Sequence, residues 1–495
     1  MIKKFFKDAA FLSMTDIILR LKSLIFIPFL TKTFGSVDYG IWAQVAIIVA
    51  MASPIVVMGT DGAMMRFVPG KEREYSSKAI STEIFYLTNA SLLFGVIFFF
   101  LSSYISKVFL GGIENSNFVK LCGYVLLVTV LLTICKHWYR IQDKVKSYSA
   151  INLSHSFLTL MALGCILFFK KGIYELVLFT TTVELILLLI LIIHISIKWG
   201  FVKPDKSILI KFLRFGFPIF PTGYAMWILN ASDRLFLGYY GTIGDIGVYS
   251  VVYSFGYTLI NLLFNPIFLM YAPRVTELYS KNELKKISVL FNYSTKVALG
   301  LLIPSIVGIT LLSKLILTIL TTSEFIRGAP LVPIITLSYL FLMMGSYFDV
   351  SLGLVYKQKW TTINLFLAAI INILLNFVLI PKFGIIGAAI STCISFGILM
   401  ILAMIISHKH VYLEFDFKFL LKTIISSFIM GAFVKILNPN DLFNLILTVL
   451  FGTIIFSTLM VILRAANPKE IKIILKHLRL KSLMGNKVIC KVLGI

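Results

Sequence analysis

The sequence predicts an all-α integral membrane protein of about fourteen transmembrane helices, built as two six-helix lobes plus an appended helix pair. Three observations carry this expectation. Of 495 residues, 59% are hydrophobic and only 14% charged, with a mean hydropathy of +0.95. A soluble domain carries about 25% charged and 45–50% apolar residues, so lipid must be the solvent for most of this chain. Apolar runs bounded by charges recur along the whole length, each near the roughly 20 residues that cross a bilayer. The 46 basic residues, set against 22 acids for a net charge of +24, fall mainly in alternate loops.

The runs place helices at 11–30, 41–60, 82–104, 118–136, 148–169 and 174–197, then at 211–232, 246–271, 288–311, 330–355, 361–380 and 385–407. A last pair covers 417–437 and 442–463. The resulting divisions are an N-terminal lobe at 1–200, a C-terminal lobe at 201–410, the pair at 411–463 and a basic tail at 464–495. In the tail Ile471, Ile474, Leu475 and Leu478 have helical spacing, which fits an amphipathic segment on the membrane surface. With the N-terminus placed in the cytoplasm, inside segments and their flanks hold 33 basic residues and outside ones 10. Arg20, Lys22 and Lys296 fall inside helices. This asymmetry, together with an even number of spans, puts both termini in the cytoplasm.

A repeat supports the lobe division. Phe34-Gly35-Ser36-Val37-Asp38-Tyr39-Gly40-Ile41-Trp42 follows the first helix, and Tyr240-Gly241-Thr242-Ile243-Gly244-Asp245-Ile246-Gly247-Val248-Tyr249 follows the seventh. Six intervening helices put both copies on one side of the membrane, as a parallel repeat requires.

Several function classes are excluded or disfavoured. The basic residues do not gather on a soluble domain, so nucleic acid is not the partner they indicate. No connecting loop exceeds about 20 residues, and no nucleotide-binding, metalloprotease or nucleophile-elbow signature is present, so the chain reads as a non-enzyme with no cofactor or metal. The five cysteines have no CxxC spacing. The basic N-terminus leads into a segment interrupted by Asp16, Arg20 and Lys22, which reads as a retained helix rather than a cleaved leader.

The informative residues are polar ones inside apolar helices, because a charge at the bilayer centre costs at least about 2.5–3.5 kcal/mol. Ser13, Asp16, Arg20 and Ser23 share one face of the first helix, and Lys22 points about 200° away from Arg20. Two readings stand side by side: a structural Asp16–Arg20 ion pair with a snorkelling lysine, or the cationic lining of a cavity. Tyr253, Tyr257, Asn261 and Asn265 recur at four-residue steps, and Asn364, Asn372 and Asn376 share another face. Asn292 and Lys296 are i,i+4 partners, and Asp349 lies late in the tenth helix. Such residues serve as interhelical hydrogen-bonding groups or line a shared wet cavity. Asp233 and Arg234 end the seventh helix, whose start carries Pro218 and Pro221 and suits bending. His155, Glu184 and Asp349 are candidates for coupling an ion or proton.

The run Phe215-Gly216-Phe217-Pro218, then Asp233-Arg234, Gly247-Val248-Tyr249-Ser250 and Pro273, resembles the pattern of Wzx-type lipid-linked oligosaccharide flippases. So do Phe34-Gly35 through Ile41, Met58-Gly59 and Arg66-Phe67-Val68-Pro69. That family is related to lipid II flippases and MATE exporters. The resemblance implies alternating access by a multi-pass protein of the cytoplasmic membrane. Its cargo would be a polyprenyl-pyrophosphate-linked oligosaccharide for cell-surface polysaccharide synthesis, with membrane lipids and pathway enzymes such as a polymerase as partners. It implies that Arg20 and Lys22 engage the pyrophosphate and that the last helix pair serves the lipid tail. Lysine in place of a second arginine offers a point charge rather than a bidentate fork. Asp16, Arg66, Lys296, Asp233, Arg234, Asn261, Asn265 and Asn372 complete the expected cavity lining. A MATE-like ion-coupled antiporter is the alternative, although such a protein would favour buried acids over buried cations.

Overall fold

The computed structural model describes residues 2–465, with side chains from Met14 onward except Ser23, and every regular element in it is helical. The basic tail expected at 464–495 therefore lies outside the described residues from Ala466 onward, as do the side chains of Ser13 and Ser23. Among the described residues, eleven helices are long and apolar enough to cross a membrane. Two of them join segments that the sequence separates. Helix α1 (Ile2–Val57) is broken at Gly35, where φ is 71°, and α13 (Gln358–His408) is broken at Gly384, where φ is 55°. Both angles lie in the left-handed region that glycine enters without steric cost.

Between these lie α2 (Thr60–Phe67), α3 (Arg73–Phe100), α4 (Ser102–Phe109), α5 (Ser116–Ile141), α6 (Val145–Phe168) and α7 (Ile173–Trp199). Next come α8 (Lys206–Gly216), α9 (Phe220–Tyr240), α10 (Ile243–Ser280), α11 (Leu284–Leu320) and α12 (Leu331–Leu354). The chain closes with α14 (Phe417–Leu437) and α15 (Leu442–Ile462). The last pair falls where the sequence places it.

The expected span 211–232 is corrected. A turn at 217–219 separates the short α8 from α9. Pro218 has no N–H to continue the α8 ladder, whereas Pro221 occupies the first turn of α9, where the missing donor costs nothing. The basic stretch 62–81, read as a loop, is also largely helical, being shared between α2 and the start of α3.

The described residues form two compact units: residues 2–258 with 362–396, and residues 259–361 with 397–465. In the first, α5 packs against α3, α6 and α7, and α1 against α5, α6 and α9. Gly95 and Gly123 let α3 and α5 approach until backbone meets backbone, as small residues do in membrane bundles. In the second, α11 packs on α12 and α14, and Tyr347 is buried among Phe264, Phe268, Tyr271 and Phe291. Leu312, Met430 and Val434 form the seam between α11 and α14. Asp416 caps α14 through the Phe419 N–H at 2.9 Å, and Asp441 caps α15 through Asn444 at 2.8 Å.

Candidate functional site

The polar face of α1 behaves as its spacing implies. Arg20 Nε donates to Asp16 Oδ2 at 2.8 Å, one helical turn away. The Arg20 guanidinium also lies 5.6 Å from the centre of the exposed Tyr257 ring on α10. Its side chain keeps 16% of its surface accessible and that of Asp16 36%, so the pair is neither sealed nor fully solvated.

Lys22 leaves the helix on the opposite side and donates to Thr159 of α6. One turn before Thr159, His155 Nε2 lies 2.8 Å from Glu184 Oε1 on α7. Glu184 acts electrostatically on both Lys22 and Lys136. Lys22, Thr159, His155 and Glu184 thus run in series from α1 through α6 to α7, with Lys136 of α5 in reach. Arg20 and Lys22 are therefore not two arms of one clamp.

A second polar centre surrounds Asp233, which is 1% exposed on α9. One carboxylate oxygen accepts the Arg234 N–H at 2.9 Å, and the other accepts the hydroxyls of Tyr249 and Thr392. The Arg234 guanidinium lies 3.8 Å from Asp233 Oδ1 as an ion pair, donates to the Asn230 carbonyl at 2.8 Å and sits 4.0 Å from the Tyr253 ring centre. Next to Asp233, Ser232 donates to Asn372 Oδ1 at 3.1 Å, and Asn376 donates to the same oxygen at 3.0 Å. Asn372 and Asn376 are fully buried. Among the described residues no three His, Cys, Asp or Glu side chains gather as a metal site.

The remaining expected residues are dispersed. Arg66 ends α2, exposed, with its guanidinium 5.0 Å from the Phe215 ring centre. In the second unit Lys296 forms an ion pair with Asp416 at 2.9 Å, and Ser288 accepts the Glu414 N–H at 2.9 Å, tying the start of α14 to α11. Burial pushes the Asp416 carboxyl up, but hydrogen bonds from Lys296 and the Phe419 N–H outweigh it and hold the group below the usual carboxylate range. Asn261 is buried, Asn265 half-buried, and Asp349 half-buried with one carboxylate oxygen lacking a partner among the described residues.

The spans drawn from the sequence missed Glu83, which is fully buried and accepts the Thr60 hydroxyl at 2.6 Å. It sits second in an expected span, where a terminal charge reads as solvated. Lys136 was missed for the same reason, at the last residue of its span. Thr159 and Thr392 carry no sequence signal, because hydroxyls in membrane helices usually bond their own backbone.

The fold is that of a multi-pass helical membrane protein. It superposes on a solved lipid II flippase in an inward closed conformation with a TM-score of 0.75, covering 90% of this chain and 97% of that one at 22% identity. The chain belongs to the polysaccharide biosynthesis protein family, which matches residues 5–279. The MatE family also matches residues 218–378. A probable low-salt glycan biosynthesis flippase of Haloferax volcanii is 25% identical over 232 residues, 46% of this chain and 49% of that protein. The lipid II flippase of Bacillus subtilis is 27% identical over 194 residues, 38% of this chain and 33% of that protein. The chain thus spans about half or less of the length of these two relatives.

Proposed function

We propose that this protein moves a polyprenyl-pyrophosphate-linked oligosaccharide across the cytoplasmic membrane by alternating access, with both termini in the cytoplasm and without bond cleavage. The observation that carries the reading is the family match over residues 5–279, within which lies the Asp16–Arg20 pair on a membrane-embedded helix. A pyrophosphate cannot cross hydrocarbon unscreened, and a partly accessible guanidinium beside an aromatic ring replaces water around such an anion. Asp16 keeps Arg20 compensated when no anion is bound. The relatives named as glycan and lipid II flippases supply the substrate class. Lobes at 1–200 and 201–410, a tail-binding pair at 411–463, the cavity residues and the coupling roles of His155, Glu184 and Asp349 belong to the same proposal. The MATE-like antiporter reading rests on the shorter match at 218–378 and is the weaker one.

Reconstitution in vesicles tests it. A fluorescent lipid-linked oligosaccharide on the inner leaflet should reach the outer leaflet, where a membrane-impermeant quencher bleaches it. Vesicles that export a cationic drug against an ion gradient yet leave the lipid unmoved would establish the antiporter instead.

A further inference from the structure

Helix α8 and the end of α2 frame an open pocket of about 440 Å³ lined by Phe67, Ser207, Ile210, Lys211, Arg214 and Phe215. We propose that this pocket holds the phosphate headgroup of an acidic phospholipid, separate from the transport cargo.

The sequence of α8 explains how the pocket arises. Ile208, Phe212 and Gly216 recur at four-residue steps and are buried, and the helix packs on α2 and α3. At Gly216 the α8 backbone runs so close to that of Met58 and Gly59 that no Cβ fits on either glycine. This contact fixes the roll of the helix. Ser207, Ile210, Lys211 and Arg214 then share the outward face by the same periodicity. Phe67 supplies the opposing wall, its ring centre 6.5 Å from Phe212 and 5.2 Å from Phe215.

Charge selects an anion. The lining holds two cations and no acid. Lys211 Nζ lies 4.4 Å from the Phe67 ring centre and 3.5 Å from the Tyr75 hydroxyl. Arg66, whose guanidinium lies 5.0 Å from the Phe215 ring centre, is outside the lining. Among the described residues neither Lys211 nor Arg214 is ion-paired. Asp205, the acid nearest in sequence, is turned to the helix start and accepts the Ser207 N–H at 2.8 Å.

Position selects a lipid over a soluble phosphate. The segment bearing α8 directly follows the span that ends at Trp199, and Ile210, Phe217 and Ile219 beside the cations are 49%, 60% and 47% exposed. Apolar side chains next to cations on a short amphipathic helix are the pattern of an interfacial segment, with acyl chains over the apolar residues and the headgroup phosphate at the cations. The basic-residue asymmetry puts this surface in the cytoplasmic leaflet, where anionic lipids collect.

The test is lipid binding by the purified full-length protein in neutral detergent, read by native mass spectrometry and by the thermal midpoint, with phosphatidylglycerol and phosphatidylcholine compared. Phosphatidylglycerol should remain bound and raise the midpoint, whereas phosphatidylcholine should do neither. The double variant Lys211→Gln, Arg214→Gln should bind phosphatidylglycerol on the order of 30-fold more weakly, while Lys211→Arg, Arg214→Lys keeps it. A control with Lys285→Gln and Lys359→Gln removes two exposed charges elsewhere and should behave as the parent. Equal binding by parent and glutamine variant would overturn the proposal. So would displacement of phosphatidylglycerol by equimolar polyprenyl diphosphate, which would assign the pocket to cargo. Because the readout is equilibrium binding, failure of the transport reading would leave this result standing.

Discussion

The Cα of Gly247 lies against the carbonyl of Ser36, and in the same contact the Cα of Gly40 lies against the carbonyl of Ile243. These glycines occupy matching places in the two copies of the repeat, so the copies clasp each other within one unit. A Cβ at either position would overlap a backbone oxygen, which cannot rotate away as a side chain can. Gly247→Ala and Gly40→Ala should each destabilise the protein by about 2 kcal/mol, the cost of overpacking a close contact. Thermal unfolding in detergent measures this. Gly62→Ala, with open space around its Cα, is the control and should leave the midpoint unchanged.

The repeat was legible in the sequence, but the clasp was not. Two similar nine- or ten-residue motifs can be recognised by inspection, whereas their contact joins segments some 200 residues apart and depends on the whole packing of α1 and α10. The apolar runs were legible because hydropathy marks them, and α14 and α15 fall where the runs place them, whereas α1 and α13 each continue through two runs. The division between α8 and α9 was not, since an amphipathic turn of helix and the span after it form one hydrophobic stretch. Helical geometry correctly sent Arg20 and Lys22 to opposite faces. It gave no means of finding that Thr159 awaits Lys22, because that partner is on another helix.

Asp233 should be intolerant of truncation. Its carboxylate gathers Tyr249, Thr392 and the Arg234 N–H in a fully buried place, so Asp233→Ala strands several donors at about 1–3 kcal/mol each. We expect Asp233→Ala to reduce protein in the membrane and abolish export. Asp233→Asn retains an acceptor oxygen and should restore abundance. If Asp233→Ala inserts and exports like the parent, the network is dispensable.

Lys144, in the turn between α5 and α6, has its pKa pushed down to about 8 by partial burial and then by the neighbouring Lys198. Both lysines lie over Trp199, at 4.4 and 5.2 Å from its ring centre. The unfolded lysine binds its proton up to about pH 10.4, so between pH 8 and that value the unfolded state holds more protons and stability rises with pH. Below pH 8 both states are protonated and the dependence ends. An amine-reactive label at pH 8 should modify Lys144 faster than Lys285, and Lys198→Gln should slow that reaction by removing the neighbouring charge. Unchanged labelling in Lys198→Gln would remove the lysine pair as the cause.

Topology is testable one loop at a time. The split of basic residues puts Asn115 and Asn440 outside and Asp205 inside. Fusions of a reporter active only outside the membrane should give signal at the first two positions and none at the third. Reversal at Asp205 would also place the α8 pocket in the opposite leaflet.

Arg20 and Lys22 should respond differently to mutation, because they face different partners. Arg20 is balanced by Asp16 and remains partly accessible beside Tyr257, so its loss removes a cation that an anion can reach. Arg20→Ala should abolish export while the protein still inserts, and Arg20→Lys should retain part of it, keeping the charge without the bidentate fork. Lys22 is engaged with Thr159 and under the field of Glu184, so Lys22→Ala leaves Glu184 and His155 to rebalance inside the bundle. Its first effect should be on abundance, with recovery when Glu184→Gln is added. A purely structural Asp16–Arg20 pair predicts another order, in which Arg20→Ala lowers abundance and Asp16→Ala in the same chain restores it. Normal export by a stably inserted Arg20→Ala, Lys22→Ala variant would remove both residues from the path of the anion.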